Sequence, residues 1–230
     1  MTFDPTATVA RIVTEHPAAA RVFHKHGIDY CCHGDVPLKQ ACLDARIDAD
    51  AILVELTTAI AQSQPAERED VRALSTAALV ARIIDRHHAY LRRALPYIAP
   101  IMTKVAQVHG PKDAHLRELE ETFRTLAASL LPHLDEEEQV LFPLLMAGRP
   151  DPEVLRPELA LMMTDHLEVG ELLARIRSLT GGFTTPEWGC NTYRVLMSEL
   201  EALEGDILRH VHLENHVLAP RFEARPQRAA

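Results

Sequence analysis

The chain has 230 residues, of which 47% are hydrophobic and only 5% aromatic, and its formal net charge is −9. This length allows one large domain, or a large domain and a small one. Its Ala- and Leu-rich composition favours helices over sheet. The chain shows no basic run typical of nucleic-acid binding, no apolar run of membrane-spanning length and no signal-peptide pattern. We therefore expect an all-α cytoplasmic protein with neither nucleic acid nor membrane as a partner.

The first region, residues 1–70, is predicted to be a small helical domain that ends in a linker. Three short helices are expected there, at residues 17–26, after Pro37, and at residues 49–62. Gly27 would end the first helix, and Asp48 would cap the third. Residues 63–70 are polar, contain a proline and lack periodicity, which is typical of a linker.

The second region, residues 71–230, contains four long helical patterns. They cover approximately residues 76–108, 111–148, 152–180 and 186–222. Pro96 and Pro100 are expected to bend or interrupt the first helix. Long helices with short connections predict an up-down-up-down four-helix bundle, in which the second and fourth helices run parallel and lie diagonally across the core.

One spacing occurs twice in this second region: a histidine followed four residues later by a glutamate. The pairs are His133 with Glu137 and His210 with Glu214. On a helix, residues i and i+4 share a face, so each pair directs an imidazole and a carboxylate to the same point. These ligand types together suit iron, and a carboxylate can bridge two metal ions. The repeated spacing predicts a di-iron site in the bundle.

The other two helices each carry a further histidine. The first helix has His87 and His88, and its periodicity leaves open which of them faces the core. The third helix has His166. The apolar residues expected around His166 on the inner side are Met162, Met163, Val169 and Leu173. A single histidine is more often a hydrogen-bonded core residue than a ligand, but two repeated pairs with a histidine on each remaining helix favour metal binding.

Cys31 and Cys32 are adjacent, in a turn between two short helices. In a reducing cytoplasm, cysteines are expected as thiols, metal ligands or redox groups rather than as a disulfide framework. The pair is interpreted either as functional thiols that bind or pass iron, sulfide or electrons, or as small buried residues in a tight turn. A separate metal site that also uses Cys42 and one of His24, His26 and His33 is a further alternative.

Several other polar residues are predicted to have no chemical role. His212 and His216 lie about 200° around the helix from the ligand face and are expected on the solvated outside. The acidic residues Asp135, Glu136 and Glu138 are interpreted as a solvated face. Cys190 lies near a helix start and is expected to serve packing.

The chain resembles a known family. Residues 133–143, 165–173 and 210–220 resemble the hemerythrin-like domain of the di-iron iron–sulfur cluster repair proteins, and residues 28–34 resemble their short Cys-Cys domain. The resemblance selects His88 over His87. The implied metal ligands are His88, His133, Glu137, His166, His210 and Glu214. The two glutamates would bridge a pair of non-haem, oxo-bridged iron ions, and Cys31 and Cys32 would be the thiols with a possible catalytic role.

The resemblance implies repair or maintenance of iron–sulfur clusters damaged by nitric oxide or oxidants, by supplying iron or handling nitric oxide. The implied partners are damaged iron–sulfur proteins and small molecules such as nitric oxide or dioxygen, and the chain would be a monomer or homodimer. The alternative is a cytoplasmic scavenger or sensor of these gases. Gly170 stands where oxygen-carrying hemerythrins place a fifth histidine, which leaves more coordination open. A ferritin-like oxidase is disfavoured, because that class uses Glu-x-x-His spacing.

Overall fold

The computed structural model describes residue 4 and residues 6–63, 70–148 and 150–222. Four short helices come first: α1 (Val9–Glu15), α2 (Ala19–Lys25), α3 (Leu38–Asp44) and α4 (Ala49–Ala61). A 3₁₀ turn, Val71–Ala73, precedes α5, which runs as Thr76–Ile83, a π-helical turn Ile84–His88, and Ala89–His109. Helix α6 runs as His115–Glu136, a π-helical turn Glu137–Leu141, and Phe142–Met146, and α7 is Pro152–Leu179. Helix α8 runs as Asn191–Leu213, a π-helical turn Glu214–Leu218, and a 3₁₀ turn Ala219–Arg221.

The predicted all-α class is confirmed, and the helix ends follow local signals in the sequence. The Asp48 carboxylate accepts the backbone N–H of Asp50 and caps α4 as expected. Gly27 follows α2 with φ of +65°, which favours glycine. Helix α1, which the sequence did not predict, is capped by Thr8 and buries Val9 on its inner face.

The chain divides into two compact units, Val80–Ile207 and the combination of Met1–Leu79 with Leu208–Ala230. The last turns of α8 therefore belong with the N-terminal helices. The division at residue 70 that the sequence suggests stays a prediction, and residues 64–69 of its linker lie outside the described residues. Among the described residues, no helix combines the length and the apolar character that a membrane span requires.

The unit at residues 80–207 is a four-helix bundle with the predicted up-down-up-down order. Helix α6 packs against both α5 and α7. Helix α8 is joined to α7 by an ion pair between Arg177 and Glu204, and to α5 by a hydrogen bond between His87 and Asp206. The fully buried core includes Leu91, Leu95, Ile98, Leu126 and Leu130.

Pro96 and Pro100 were expected either to bend or to interrupt the helix, and they do not interrupt α5. The helical segment Ala89–His109 contains both residues. Both prolines are exposed, so water can satisfy the backbone carbonyls that lose their intrahelical partner there.

In the other unit, α4 packs against α2 and α3, and α1 packs against the π-helical turn of α8. The largest apolar side chains buried there include Ile12, Phe23, Ile52 and Leu56. The guanidinium of Arg221, at the end of α8, donates to the Leu74 carbonyl at 3.0 Å. Hydrogen bonds from Asn215 and His216 to the Cys31 carbonyl place the last turns of α8 beside the segment that carries Cys31 and Cys32.

Candidate metal centre

Each of the three π-helical turns contains one of the predicted metal ligands. His88 ends the first turn, Glu137 begins the second, and Glu214 begins the third. A π-helical turn widens the helix by one residue and is frequent at functional sites. Pro143 and Pro220 follow the second and third turns, and the wider turn leaves room for a proline ring that would clash with a regular α-helix. For the second and third turns, the proline is a sequence signal that could have indicated the π-helical geometry.

Three imidazoles converge on the Glu137 carboxylate within the unit at residues 80–207. His133 Nε2 lies 3.2 Å from Glu137 Oε1, and His88 Nε2 lies 3.4 Å from Glu137 Oε2. His166 Nε2 lies 3.2 Å from His133 Nε2 and 3.8 Å from Glu137 Oε1. All four side chains are buried.

The spacing of these donors fits a bound cation. Metal–nitrogen bonds of about 2.0–2.1 Å, at angles between the octahedral and tetrahedral values, place neighbouring donors about 2.8–3.4 Å apart. His133, Glu137 and His166 offer ligand atoms that all lie within 4.8 Å of one another. Neutral imidazoles and a carboxylate suit iron among other divalent metals. The structure thus places these three predicted ligands together, and His88 faces the other oxygen of Glu137.

Two carboxylates orient the histidines from behind. The Nδ1–H of His133 donates to Asp165 Oδ2 at 3.0 Å, and that of His88 donates to Glu138 Oε1 at 2.8 Å. These hydrogen bonds select the tautomer that leaves each Nε2 free of a proton and directed at Glu137. Glu138 directly follows the predicted ligand Glu137, and Asp165 directly precedes the predicted ligand His166, which is the signal that could have identified both carboxylates.

Glu138 is therefore not part of a solvated face, so that expectation was wrong for this residue. Burial opposes its ionisation, but hydrogen bonds from His88 and Arg92 outweigh burial and lower the pKa of Glu138. Arg92 also contacts Asp135 at 2.7 Å. Within the acidic run, Asp135 and Glu136 fit the earlier interpretation, because both are exposed.

The two adjacent histidines of α5 have different contacts. His88 faces Glu137 with Nε2 and stacks on Phe142, with ring centroids 5.6 Å apart. His87 is also buried, and its Nδ1 lies 3.1 Å from Asp206 Oδ1. This geometry distinguishes the two residues where periodicity did not.

Four apolar residues were expected on the inner side of α7 around His166, and three of them are buried. Met162, Val169 and Leu173 are buried, whereas Met163 is 41% exposed. Met163 lies one residue beyond the buried stripe of α7, so the expectation for that residue was wrong.

In the other unit, His210 and Glu214 also meet. His210 Nε2 lies 2.9 Å from Glu214 Oε1, and both side chains are fully buried. Both repeated pairs therefore have the same internal geometry, with the imidazole Nε2 facing the carboxylate one turn later.

A solvent-accessible cavity of about 350 Å³ lies between α6 and α7. Its lining residues are Ser129, Pro132, His133, Glu136, Leu161, Asp165, Glu168 and Val169. Because His133 and Asp165 form part of its wall, a small molecule can approach this side of the centre from solvent.

The Cys31–Cys32 segment is a tight turn organised by Asp29. Asp29 Oδ1 accepts the backbone N–H groups of Cys31 and Cys32 at 2.9 and 3.0 Å, and Asp29 Oδ2 lies 2.8 Å from His33 Nδ1. Burial opposes the ionisation of Asp29, but the hydrogen bonds from His33 and the two amides lower its pKa. The hydrogen bond with Cys32, burial and the nearby Asp29 charge raise the pKa of Cys31.

This turn is also a group of residues that could hold a metal ion, formed by Asp29, Cys31 and Cys32. Cys31 is buried and Cys32 is partly exposed. Cys42, which the sequence offered as a further ligand of such a site, is buried on α3.

His212 and His216 are not on the solvated outside, so that expectation was wrong. His212 is 3% exposed, and its Nδ1 donates to the Tyr30 carbonyl at 3.1 Å. His216 Nε2 donates to the Cys31 carbonyl at 2.8 Å. Both residues do lie away from His210 around the helix, but N-terminal segments cover that side of α8. Burial and the neighbouring His216 lower the pKa of His212 to about 3, so its ring is neutral.

Cys190 is exposed, so the expectation that it serves packing was wrong. It directly precedes α8, and its Sγ lies 3.2 Å from His109 Nε2. The hydrogen bond from His109, followed by that from the Tyr193 amide, lowers the pKa of Cys190 to about 7. His109 is thus the hydrogen-bond partner of this thiol.

Comparison with known proteins agrees with this geometry. Residues 79–222 match the model of the hemerythrin HHE cation binding domain, and residues 5–60 match a domain of unknown function, ScdA_N. The fold and the buried histidines and glutamates thus define a cation-binding protein of the hemerythrin class.

Comparison with named relatives assigns the chain to one family within this class. The chain is 33% identical to the iron-sulfur cluster repair protein ScdA of Staphylococcus haemolyticus, over 93% of this chain and 96% of that protein. It is 33% identical to the iron-sulfur cluster repair protein YtfE of Yersinia pseudotuberculosis, over 89% of this chain and 91% of that protein. The chain belongs to this ScdA and YtfE family of iron–sulfur cluster repair proteins, which confirms the resemblance seen in the sequence.

Proposed function

We propose that this protein repairs or maintains iron–sulfur clusters damaged by nitric oxide or oxidants, using two non-haem iron ions held in the bundle. The observation that carries the proposal is the convergence of three buried imidazoles on the buried Glu137 carboxylate. The proposed ligands are His88, His133, Glu137, His166, His210 and Glu214. Family membership supports the repair function, since relatives along nearly the whole chain carry that name.

The two glutamates are the proposed bridges of an oxo-bridged pair, and the four histidines the proposed terminal ligands. Each glutamate lies one turn after a histidine on the same helix face, with oxygen and nitrogen at hydrogen-bonding distance. Asp165 and Glu138 keep two of the imidazoles in the metal-binding tautomer. Bound iron would supply either exchangeable metal for cluster rebuilding or a position at which nitric oxide binds.

The proposed partners are iron–sulfur proteins with damaged clusters, as the names of the relatives suggest. In this proposal the protein works in the cytoplasm, where reduced thiols such as those of Cys31 and Cys32 persist. The thiol pair separates repair from simple gas binding, because a protein that only binds a gas does not need it.

The decisive experiment mixes the iron-loaded protein with a dehydratase whose [4Fe–4S] cluster has been damaged by nitric oxide. Wild-type protein should restore the dehydratase activity in stoichiometric amounts. Glu137→Ala should restore none, whereas Glu136→Ala, which changes the exposed neighbouring carboxylate, should act as wild type. Recovery that is equal with Glu137→Ala and wild-type protein, or absent with both, would refute the proposal.

Nitric oxide or dioxygen binding is the second candidate function, favoured by the cavity that reaches His133 and Asp165. Gly170 lies on α7 one turn after His166, at the position where oxygen carriers place a fifth histidine. Gly170→His should fill the open coordination and reduce nitric oxide binding to the reduced protein, measured by its absorption spectrum.

The result is interpretable only if the Gly170→His variant keeps its iron and its helicity. Normal nitric oxide binding in a variant whose added imidazole coordinates iron would show that the gas enters elsewhere. Lower iron or helicity would show that a side chain at residue 170 disturbs packing.

A further inference from the structure

The peptide group between Cys31 and Cys32 is held at its carbonyl oxygen by α8. That oxygen accepts hydrogen bonds from His216 Nε2 at 2.8 Å and from Asn215 Nδ2 at 3.2 Å. Both donors lie in the π-helical turn Glu214–Leu218, directly after the proposed ligand Glu214. The position of this peptide is therefore tied to the turn that begins with Glu214.

The two sulfurs of the same peptide are held near each other. Cys31 Sγ and Cys32 Sγ are 3.5 Å apart, and Asp29 fixes both backbone amides. The turn is tight: a Cβ on Gly34 would lie 2.5 Å from the Tyr30 carbonyl oxygen. A bonded pair of sulfurs is about 2.05 Å apart, so a small rotation brings these two into bonding distance.

We propose that Cys31 and Cys32 are a redox site. The two thiols form a vicinal disulfide by thiol–disulfide exchange with a low-molecular-weight disulfide. Cys32, the partly exposed thiol, attacks as its thiolate and displaces one thiolate of the small disulfide, which leaves a mixed disulfide on Cys32. Buried Cys31 then attacks the Cys32 sulfur, and the second small thiol leaves with the Cys31 proton. Two protein thiols are oxidised, and one small disulfide is reduced to two thiols.

Closure of this bond acts on the peptide that α8 holds. The small ring of a vicinal disulfide contains the Cys31–Cys32 peptide bond itself, and such a ring strains a planar trans amide. The Cys31 carbonyl therefore rotates out of its hydrogen bonds with Asn215 and His216. This loosens the turn that begins with Glu214, so oxidation of the thiols favours release of iron. The effect on iron rests on the proposed function, in which Glu214 is a ligand.

The first test measures the thiol equilibrium alone. Full-length protein carrying Cys190→Ser, which removes the exposed thiol of the other unit, is equilibrated in mixtures of reduced and oxidised glutathione. Alkylation and mass spectrometry then give the fraction of Cys31–Cys32 disulfide. His216→Leu and Asn215→Leu each remove one donor to the reduced state, and each should shift the equilibrium toward the disulfide about two- to tenfold.

The matched control is His216→Gln, which keeps an N–H donor and should stay near the wild-type equilibrium. Cys32→Ser should form no intramolecular disulfide. A stable mixed disulfide on Cys32, or an absence of oxidation at high glutathione disulfide, would overturn the redox site. Equal equilibria in wild type, His216→Leu and Asn215→Leu would overturn the role of α8 in holding the peptide.

The second test measures iron. A chelator should remove iron severalfold faster from the oxidised protein than from the reduced protein, and the difference should vanish in Cys32→Ser. Equal rates in an oxidised protein that holds iron would overturn the coupling. A protein that holds no iron but still forms the disulfide would refute the proposed function and leave the redox site intact, so the two failures are distinguishable.

Discussion

The two His-x-x-x-Glu pairs have the same spacing and a π-helical turn at the glutamate, yet the structure supports them differently. In the unit at residues 80–207, carboxylates contact the imidazoles from behind: Asp165 contacts His133, and Glu138 contacts His88. In the other unit, the polar residues that follow Glu214 donate to the backbone carbonyl of Cys31. The same motif thus has carboxylates behind its imidazoles in one unit and is followed by residues that contact the thiol segment in the other.

This difference shows that the His-x-x-x-Glu spacing brings an imidazole and a carboxylate together. Residues outside the motif decide which other groups each pair contacts. The pair at His133 lies in an electrostatic network that includes Asp165, Glu138 and Arg92. Within the pair at His210, the intervening His212 has a neutral ring, because burial and the neighbouring His216 lower its pKa to about 3. Perturbation of the two pairs should therefore have unequal consequences.

The largest expected effect is loss of iron on removal of a bridging carboxylate. Glu137→Ala and Glu214→Ala should each lose most of the bound iron, and Glu137→Ala should lose more, because three imidazoles converge on that carboxylate. Iron per chain, measured by metal analysis of the purified variants, checks this. Glu136→Ala is the control and should keep the wild-type content. A Glu137→Ala protein with full iron would refute the assigned site.

The sequence predicted most of this centre because its signals are local. Helical periodicity gave the four long helices, and i,i+4 spacing placed each histidine above its glutamate, as His133 and Glu137 show. Glycine and Asx caps gave several helix ends, among them Gly27 and Asp48. Such features depend on residues within one or two turns of each other.

The errors arose where tertiary contacts decide. A helical wheel correctly placed His212 away from His210, but it could not show that Tyr30 and Thr14 cover that side. The sequence alone does not distinguish Glu138 from a surface acid, because its contact with His88 at 2.8 Å forms only in the folded chain. Cys190 and His109 are distant in sequence and meet only because the ends of two helices are adjacent.

The next largest effect should follow from removing the metal as a whole. A metal that binds only the folded chain stabilises it by about 2.7 kcal/mol at a free concentration one hundred times the dissociation constant. For a protein of this size, that corresponds to a shift of about 5–10 °C in melting temperature. Calorimetry should show a lower melting temperature for the chelator-treated protein than for the iron-loaded protein. Identical transitions would mean that the metal does not stabilise the fold.

A smaller effect is expected from the carboxylates behind the imidazoles. Asp165→Asn and Glu138→Gln keep side-chain size but remove the charge that accepts from His133 and His88. Each should weaken iron binding about 10–100-fold, the usual range for such partners. Competition with a chelator of known affinity gives the values. Glu136→Gln, an exposed change of the same kind, should leave affinity unaltered, and equal affinity in all three variants would assign no orienting role to these carboxylates.

The smallest expected effect contrasts the cysteines of the two units. The pKa of Cys190 is lowered to about 7, chiefly by the hydrogen bond with His109, whereas that of Cys31 is raised. Cys190 is therefore largely thiolate above pH 7, and iodoacetamide should modify it first. His109→Ala should move the inflection of the pH–rate profile upward toward the ordinary thiol value of 9.0 and slow alkylation at pH 7 severalfold. The slowing stays modest because a less acidic thiol forms a more nucleophilic thiolate, which offsets part of the lost thiolate fraction. His115→Ala, which removes an exposed histidine at the start of α6, should leave the profile unchanged. A profile that His109→Ala does not shift would show that the helix N-terminus alone sets the acidity of Cys190.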